Sequence, residues 1–355
     1  MGIWTGRDDK GGRDSAPTVA DVGEHRLIDL ITRPLASSPE VILGPGDDAA
    51  VLVSPPGWLL LTTDMLVEGV HFQAGYGTPV QLGYKALAVN VSDIAAMGGT
   101  PWAAVISVAL PGSTPAEFVE SLYLGLDRAA RQFGVSLVGG DTVASPGSLV
   151  INVALAGKAA PGTVVTRRGA RPGDLVFVTG SMGAAAAGLF VLQNPGSWPR
   201  EAAGSVVRRF LEPVPHLEAG KLFASFGVGA LDDNSDGLAR EMHEICRASG
   251  VGCLIEPERL PVDAAVREIA AAAGRPWWEW ALHGGEDYGL VVCVAPAAAE
   301  SLVDACRSAN IALTRVGLIT VREEGLWTAW ADGRTVPLLP GGFEHFLPDG
   351  GSHGR

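Results

Sequence analysis

The chain is poor in positive charge: 26 Lys and Arg against 39 Asp and Glu leave a formal net charge of −13 over 355 residues. That balance offers no electrostatic footprint for nucleic acid or for an anionic membrane, though such a chain can still bind phosphates where metal ions carry the attraction. Cysteine is scarce as well. Cys246, Cys253, Cys293 and Cys306 show no CxxC spacing and no nearby histidine pair, which excludes a zinc framework and points to reduced, mostly buried thiols. No apolar run approaches the ~20 residues that span a bilayer. Residues 1–17 are polar and glycine-rich without an apolar signal core, and read as a disordered leader. These absences describe a soluble, cytoplasmic chain. No GxxxxGK[ST] phosphate loop is present. Gly44-Pro45-Gly46-Asp47-Asp48-Ala49 fits GxGxxA, but a strand pattern follows and two carboxylates stand where a pyrophosphate would lie. Gly180 and Gly183, between a strand and an alanine-rich helix, lack the dinucleotide spacing.

What is present is an ordinary globular composition, 47% hydrophobic and 18% charged, in a length that suggests about two domains. Its most informative stretch is Gly44 to Phe72. Two apolar runs, Ala49 to Val53 and Trp58 to Leu61, flank Ser54-Pro55-Pro56-Gly57 and predict an antiparallel pair. Such a pair crowds Asp47, Asp48 and Asp64 with Thr62 and Thr63 at one sheet edge. Like charges that close repel unless a cation sits between them, and oxygen-only ligands suit Mg2+.

Around this stretch the periodicity predicts a helix over Val19 to Leu35, a second opened by Thr78-Pro79 and stopped by Gly98-Gly99, and a third from Thr114-Pro115 to Phe133. Lys85 and Asp93 fall on one side of the second helix, with Asn90 on an adjacent line. They read either as a surface ion pair or, for Asp93, as a further metal ligand. Trp102 to Leu110 and Leu149 to Lys158 read as strands. Gly139-Gly140-Asp141-Thr142 reads as a bare backbone site for phosphate or metal, or as a simple turn. After a boundary at 161–172, Leu175 to Thr179 is a strand. Asp232, Asp233 and Asp236 precede a helix with apolar stripe Leu238, Met242 and Ile245, capped by Ser235 or Asp236. Glu286 and Asp287 likewise follow two glycines and precede an apolar strand. Trp277, Trp278 and Trp280 read as core.

Taken together, GPGDDAAVL, TTDMLVEGVHF, YKALAVNVSDIAAMGG, GGDT, TRRGARPGD, NSDGL, GGEDY and GFEHF resemble the thiamine-monophosphate kinase family. That family sits within the ATP-using synthetases typified by aminoimidazole ribonucleotide synthetase. The resemblance spans roughly Val22 to Phe346. It implies an α/β (α+β) two-domain synthetase-like fold: after a leader (1–18), an ATP/Mg-binding N-terminal domain (19–160) with a mixed sheet that pairs across a homodimer. A C-terminal α/β domain (161–347) and a tail (348–355) follow. The implied activity is ATP-dependent phosphorylation of thiamine monophosphate to thiamine diphosphate with several Mg2+ ions. Carried over by motif, Asp48, Thr62, Thr63, Asp64, Asp93, Asp141, Asp233 and Asp236 would hold metal. ATP would touch Tyr123, Gly140, Asp141, Arg167 and Ser235; the acceptor would meet His71, Glu286 and Phe343. Asn234 stands where the family usually has an apolar residue, and Asp232 is an extra carboxylate upstream. Which of Asp232 and Asp233 binds metal stays open, with spacing to the Ser-Asp-Gly favouring Asp233. Related synthetases that need a reactive cysteine near the N-terminus or at the C-terminus fit this chain poorly, since it has neither.

Overall fold

A computed structural model describes residues 17–22, 24–35, 38–43, 51–52 and 56–342. They form two compact units: residues up to Val91 with Pro101–Lys158, and Ser92–Thr100 with everything from Ala159 onward.

The first unit holds α1 (Val19–Val22), α2 (Glu24–Thr32), β1 (Val41–Leu43), β2 (Val51–Leu52), β3 (Trp58–Val67) and most of α3 (Pro79–Ala96). It continues through β4 (Thr100–Pro111), α4 (Ala116–Phe133), β5 (Ser136–Ser145) and β6 (Val150–Ala159). At the start of α3 the Thr78 hydroxyl accepts the Gln81 N–H (3.2 Å) while Gln81 Oε1 accepts the Thr78 N–H (3.0 Å). This reciprocal cap, with Pro79 in first place, fixes the start; Gly98 at φ 69° ends it. The helix is no surface element. Lys85, Asn90 and Ser92 are all buried, which overturns the reading of Lys85 as one half of a surface ion pair.

The antiparallel pair expected at Gly44 to Leu61 does not form. Among the described residues β2 pairs with β1, Val41 opposite Leu52, while β3 is an edge of a four-stranded sheet ordered β3-β6-β4-β5. Turn chemistry says where a chain can reverse but not which strand it meets, and here the partners are non-local. One face of this sheet is lined by buried Ile106, Val108, Leu110, Ile151, Val153 and Leu155. On the other, Leu61, Met65, Val105 and Val143 are exposed. α3 and α4 approach so closely that a Cβ on Gly83 would lie 1.9 Å from the Leu122 carbonyl, and one on Gly125 1.9 Å from that of Val80.

The second unit is a three-layer sandwich. Its strands are β7 (Leu175–Thr179), β8 (Ala230–Asp233), β9 (Gly252–Ile255), β10 (Leu290–Val294), β11 (Leu313–Thr320), β12 (Leu326–Ala329) and β13 (Thr335–Pro337). They are ordered β13-β12-β9-β11-β7-β10-β8, antiparallel except for the β12–β9 pair. The helices are α5 (Ala184–Gln193), α6 (Arg200–Leu211), α7 (Leu217–Phe226), α8 (Leu238–Ser249), α9 (Ala264–Ala273), α10 (Trp277–His283) and α11 (Pro296–Ser308). Alternation along β7 and β10 divides the core. Val176, Val178, Val291 and Cys293 pack with Leu238, Met242 and Ile245 of α8, whereas Phe177, Leu290, Val292 and Val294 pack with Phe223 of α7 and Leu302 of α11. A strand covered on both faces reads as a continuous apolar run, as Leu290 to Val294 does. All four cysteines are buried free thiols, and Trp280 is core.

Gly83→Ala should lower stability by about 2–3 kcal/mol, because its methyl meets backbone that cannot swing aside. Urea unfolding checks this; an unchanged midpoint would contradict the helix contact.

Candidate functional site

In the first unit the acidic group is built on β3. Strand alternation turns Thr62 and Asp64 to one face and Thr63 to the other, where its hydroxyl lies within bonding distance of Asn152 Oδ1 (3.1 Å) and the Val153 carbonyl (3.0 Å). The three residues therefore do not present their side chains together. Asp64 is half-buried, and its N–H donates to Oδ1 of fully buried Asn90 (2.9 Å), whose Nδ2 donates to the Ala86 carbonyl one helical turn back. Asn90 thus clamps the strand to α3 at the carboxylate. A polar residue inside an otherwise apolar helix was the signal for it.

After β3 the Val67 N–H donates to His71 Nδ1 (3.1 Å), so neutral His71 carries its proton on Nε2. Asp141 is not in a turn. It lies in β5 opposite Ser107, exposed, with Oδ1 accepting the Thr142 N–H (2.9 Å). Gly140 is required by strand packing, since a Cβ would sit 1.9 Å from the Ile106 carbonyl. β3 and β5 are opposite edges of the sheet, roughly 14 Å apart across the strands. Asp64 and Asp141 do not crowd one edge. Tyr123 is buried on α4, and burial pushes its phenol well above the usual range.

The second unit gathers more charge. Asp232 and Asp233, each 2% exposed, end β8. Asp232 Oδ2 accepts Nε of Arg167 (2.7 Å), a side chain still half exposed, and Asp233 Oδ2 accepts the hydroxyl of buried Ser92 (2.6 Å). Ser249 Oγ donates to the Arg167 carbonyl (3.0 Å) and accepts the Gly169 N–H (3.0 Å), pinning the arginine loop. Burial pushes the Asp232 carboxyl up while Arg167 pulls it down. Burial, then Asp232 and Asp233, push the Glu241 carboxyl well above the usual carboxylate range. Glu241 Oε1 accepts the Asp236 N–H (2.8 Å). Neither Ser235 nor Asp236 caps α8: the cap position is Gly237, at φ 116°, and Glu241 does the holding from within the helix. Asp93 lies half-buried next to Ser92 in this same unit. Sequence reasoning gave Ser92 and Glu241 no role, because serine on a helix and glutamate in a first turn are unremarkable by pattern.

The Gly285 to Gly289 loop runs against the Asp233 to Asp236 stretch. Glu286 N–H donates to the Ser235 carbonyl (2.7 Å), Tyr288 N–H to Asn234 (3.0 Å), and Asn234 N–H to Gly289 (2.7 Å). Glu286 (φ 68°) and Tyr288 (φ 52°) are both left-handed, a conformation uncommon for residues with a Cβ. Between them Asp287 sends its carboxylate to the start of α5, accepting the Gly183 (2.5 Å) and Ala185 (3.0 Å) N–H groups. Burial pushes it up to about 6 against the pull of those amides. The glycine turn at Gly180 to Gly183 is therefore filled by a side chain, which removes what remained of a dinucleotide reading there.

Asp48 and Phe343 lie outside the described residues. Among the described residues no three His, Cys, Asp or Glu side chains are close enough to hold a metal alone. The donor set is nevertheless all oxygen and carries excess negative charge. It suits Mg2+, which keeps waters and takes substrate phosphate oxygens as ligands.

The AIR synthase related protein N-terminal domain model matches residues 46–159, and the C-terminal domain model residues 171–327. The chain is 36% identical over 327 residues to the thiamine-monophosphate kinase of Bacillus subtilis (strain 168), covering 91% of this chain and 99% of that protein. The crystal structure of thiamine-monophosphate kinase from Stenotrophomonas maltophilia K279a aligns with a TM-score of 0.77 at 32% identity, covering 87% and 96% of the two chains. The structure of AaThiL complexed with AMPPCP and TMP aligns at 0.72 and 34%, covering 92% and 97%.

Proposed function

The chain belongs to the thiamine-monophosphate kinase family of AIR synthase related proteins, and from that premise we propose a Mg2+-assisted, in-line transfer of the γ-phosphoryl group of ATP to thiamine monophosphate, giving thiamine diphosphate and ADP. The observation that carries this reading is the likeness, over 92% of the chain, to a structure holding AMPPCP and TMP. An ATP analogue and TMP held by one such protein fit phosphoryl transfer between two polyanions.

That chemistry explains which residues are absent from the site as well as which are present. The acceptor is a phosphate monoester, ionised at neutral pH, so no side chain has to remove a proton from it. What the chain must do is hold two anions in line and offset their repulsion. Mg2+ held by the chain's carboxylates would supply charge neutralisation. In the first unit Asp64 and Thr62, on one face of β3, are the proposed ligands with Asp48; in the second they are Asp93, Asp233 and Asp236. Asp233 is preferred to Asp232 because Asp232 is already paired with Arg167. Asp141, with Gly140, is assigned to ATP and metal by motif match alone, as are Tyr123 and Ser235. Thr63 is dropped as a side-chain ligand because its hydroxyl faces the other side of the strand.

Arg167 keeps its terminal nitrogens for ATP phosphates, since only Nε donates to Asp232. His71, its Nδ1 engaged by the Val67 N–H, is assigned to the acceptor phosphate by motif match. The Glu286 carboxylate suits the cationic thiazolium of thiamine, and Phe343 offers a stacking face. A homodimer is supported by edge strand β3, where Leu59, Leu61 and Met65 are 52%, 75% and 54% exposed. A cytoplasmic location is supported by the four free thiols and by the lack, among the described residues, of a helix long and apolar enough to cross a membrane.

Purified protein incubated with ATP, thiamine monophosphate and Mg2+ should yield thiamine diphosphate and ADP by chromatography. ATP consumption without the diphosphate would overturn the assignment. Asp93→Asn should cut kcat by about 100-fold or more with an unchanged circular dichroism spectrum, and full activity would remove Asp93 from the metal set. Leu61→Glu should convert a dimer to a monomer in light scattering after size exclusion; an unaltered mass would place the interface elsewhere.

A further inference from the structure

We propose that Asp287 is a positioning residue: by bonding to the start of α5 it fixes the loop that presents Glu286 to thiamine monophosphate. The proposal rests on the kinase reading for the role of Glu286, but the geometry stands without it. The Asp287 carboxylate is a half-buried acceptor with three donors around it. Gly183 and Ala185 give their N–H groups at 2.5 and 3.0 Å, and Asn234 Nδ2 lies at 3.5 Å. The two amides belong to the first turn of a ten-residue helix whose own cap position, Gly183, has no side chain to satisfy them. Asp287 therefore caps α5 from a segment more than 100 residues away, and α5 in return anchors the loop.

The backbone on either side shows what that anchor does. Glu286 and Tyr288 hold left-handed φ angles of 68° and 52°, which side-chain-bearing residues keep only when their surroundings over-determine them. Two main-chain bonds, Glu286 N–H to Ser235 and Tyr288 N–H to Asn234, hold the loop from one side. The Asp287 side chain holds it from the other. With both in place, Glu286 points where it does because its neighbour cannot turn. The Ser235–Asp236 side depends less on this link. Asp236 is also held by Glu241 and Asp233 by Ser92. Asn234 is the weakest contributor: its amide nitrogen is at the limit of bonding distance, and its buried Oδ1 finds no partner among the described residues.

Asp287→Asn keeps the shape but turns an NH2 group toward one of the two helix amides, so one charge-assisted bond is lost. Hydrogen exchange in the full chain should show the Glu286 and Tyr288 amides exchanging roughly tenfold faster or more, with the core amides of β10 and α8 unchanged. In steady state the KM for thiamine monophosphate should rise by about tenfold while that for ATP changes about twofold or less. A purely structural role would instead lower the active fraction, reducing kcat with both KM values intact. Should Asp287→Asn fail to fold, Asn234→Ala removes only the third donor and should give the same pattern at about threefold. Unchanged exchange at Glu286 and Tyr288 in a folded variant overturns the proposal. Accelerated exchange in a protein whose wild type makes no thiamine diphosphate would leave the anchor standing and remove the kinase reading.

Discussion

Two adjacent aspartates that end a buried strand, each 2% exposed, set the terms for the second unit. Burying a carboxylate costs several kcal/mol unless donors or cations surround it, and burying two side by side adds their repulsion. The chain offsets this unevenly. Asp232 receives a guanidinium and Asp233 a serine hydroxyl, while burial and the two aspartates push the Glu241 carboxyl toward its neutral form. Among the described residues Arg167 is the cation bonded to Asp232. Asp236 and half-buried Asp93 add oxygen donors in the same unit, and the proposed Mg2+ is the kind of ion that an all-oxygen set suits.

The same logic explains how the loops are held. Several of the residues proposed to meet ligand are held by one or two hydrogen bonds from a neighbouring group. Asn90 holds the backbone at Asp64, Val67 holds the His71 ring, Glu241 holds Asp236, and Asp287 holds the segment beside Glu286. Buried polar groups of this kind are costly when unmet and directional when met, which suits a site that must place anions to within a fraction of an ångström.

Much of this was legible in the sequence where the signal is local. The reciprocal cap at Thr78 and Gln81, the apolar stripe of α8 and the strand Leu175–Thr179 all follow from periodicity and end residues that act within a few positions. Pairing was not legible in the same way. β2 and β3 are joined by a turn-forming segment, yet β2 meets β1 while β3 meets β6 some 90 residues later, and no local pattern encodes that choice. The acidic motifs were visible as residue types, and their order was specific enough to name a family. Their placement was not. Thr63 turns away from Asp64 by simple alternation, Asp141 lies in mid-strand on the far edge, and Asp287 looked like a companion of Glu286 until its helix partner appeared. Lys85 read as half of a surface ion pair because burial of a polar helix face depends on what packs over it.

Central to the proposed function is a divalent cation through which acidic protein and anionic substrate tolerate each other. Equilibrium binding of a non-hydrolysable ATP analogue, followed calorimetrically with and without Mg2+, addresses this directly. The account predicts affinity at least about tenfold weaker in EDTA than in excess Mg2+, with Asp233→Asn abolishing most of the difference. Equal affinity in the presence and absence of Mg2+ would contradict it.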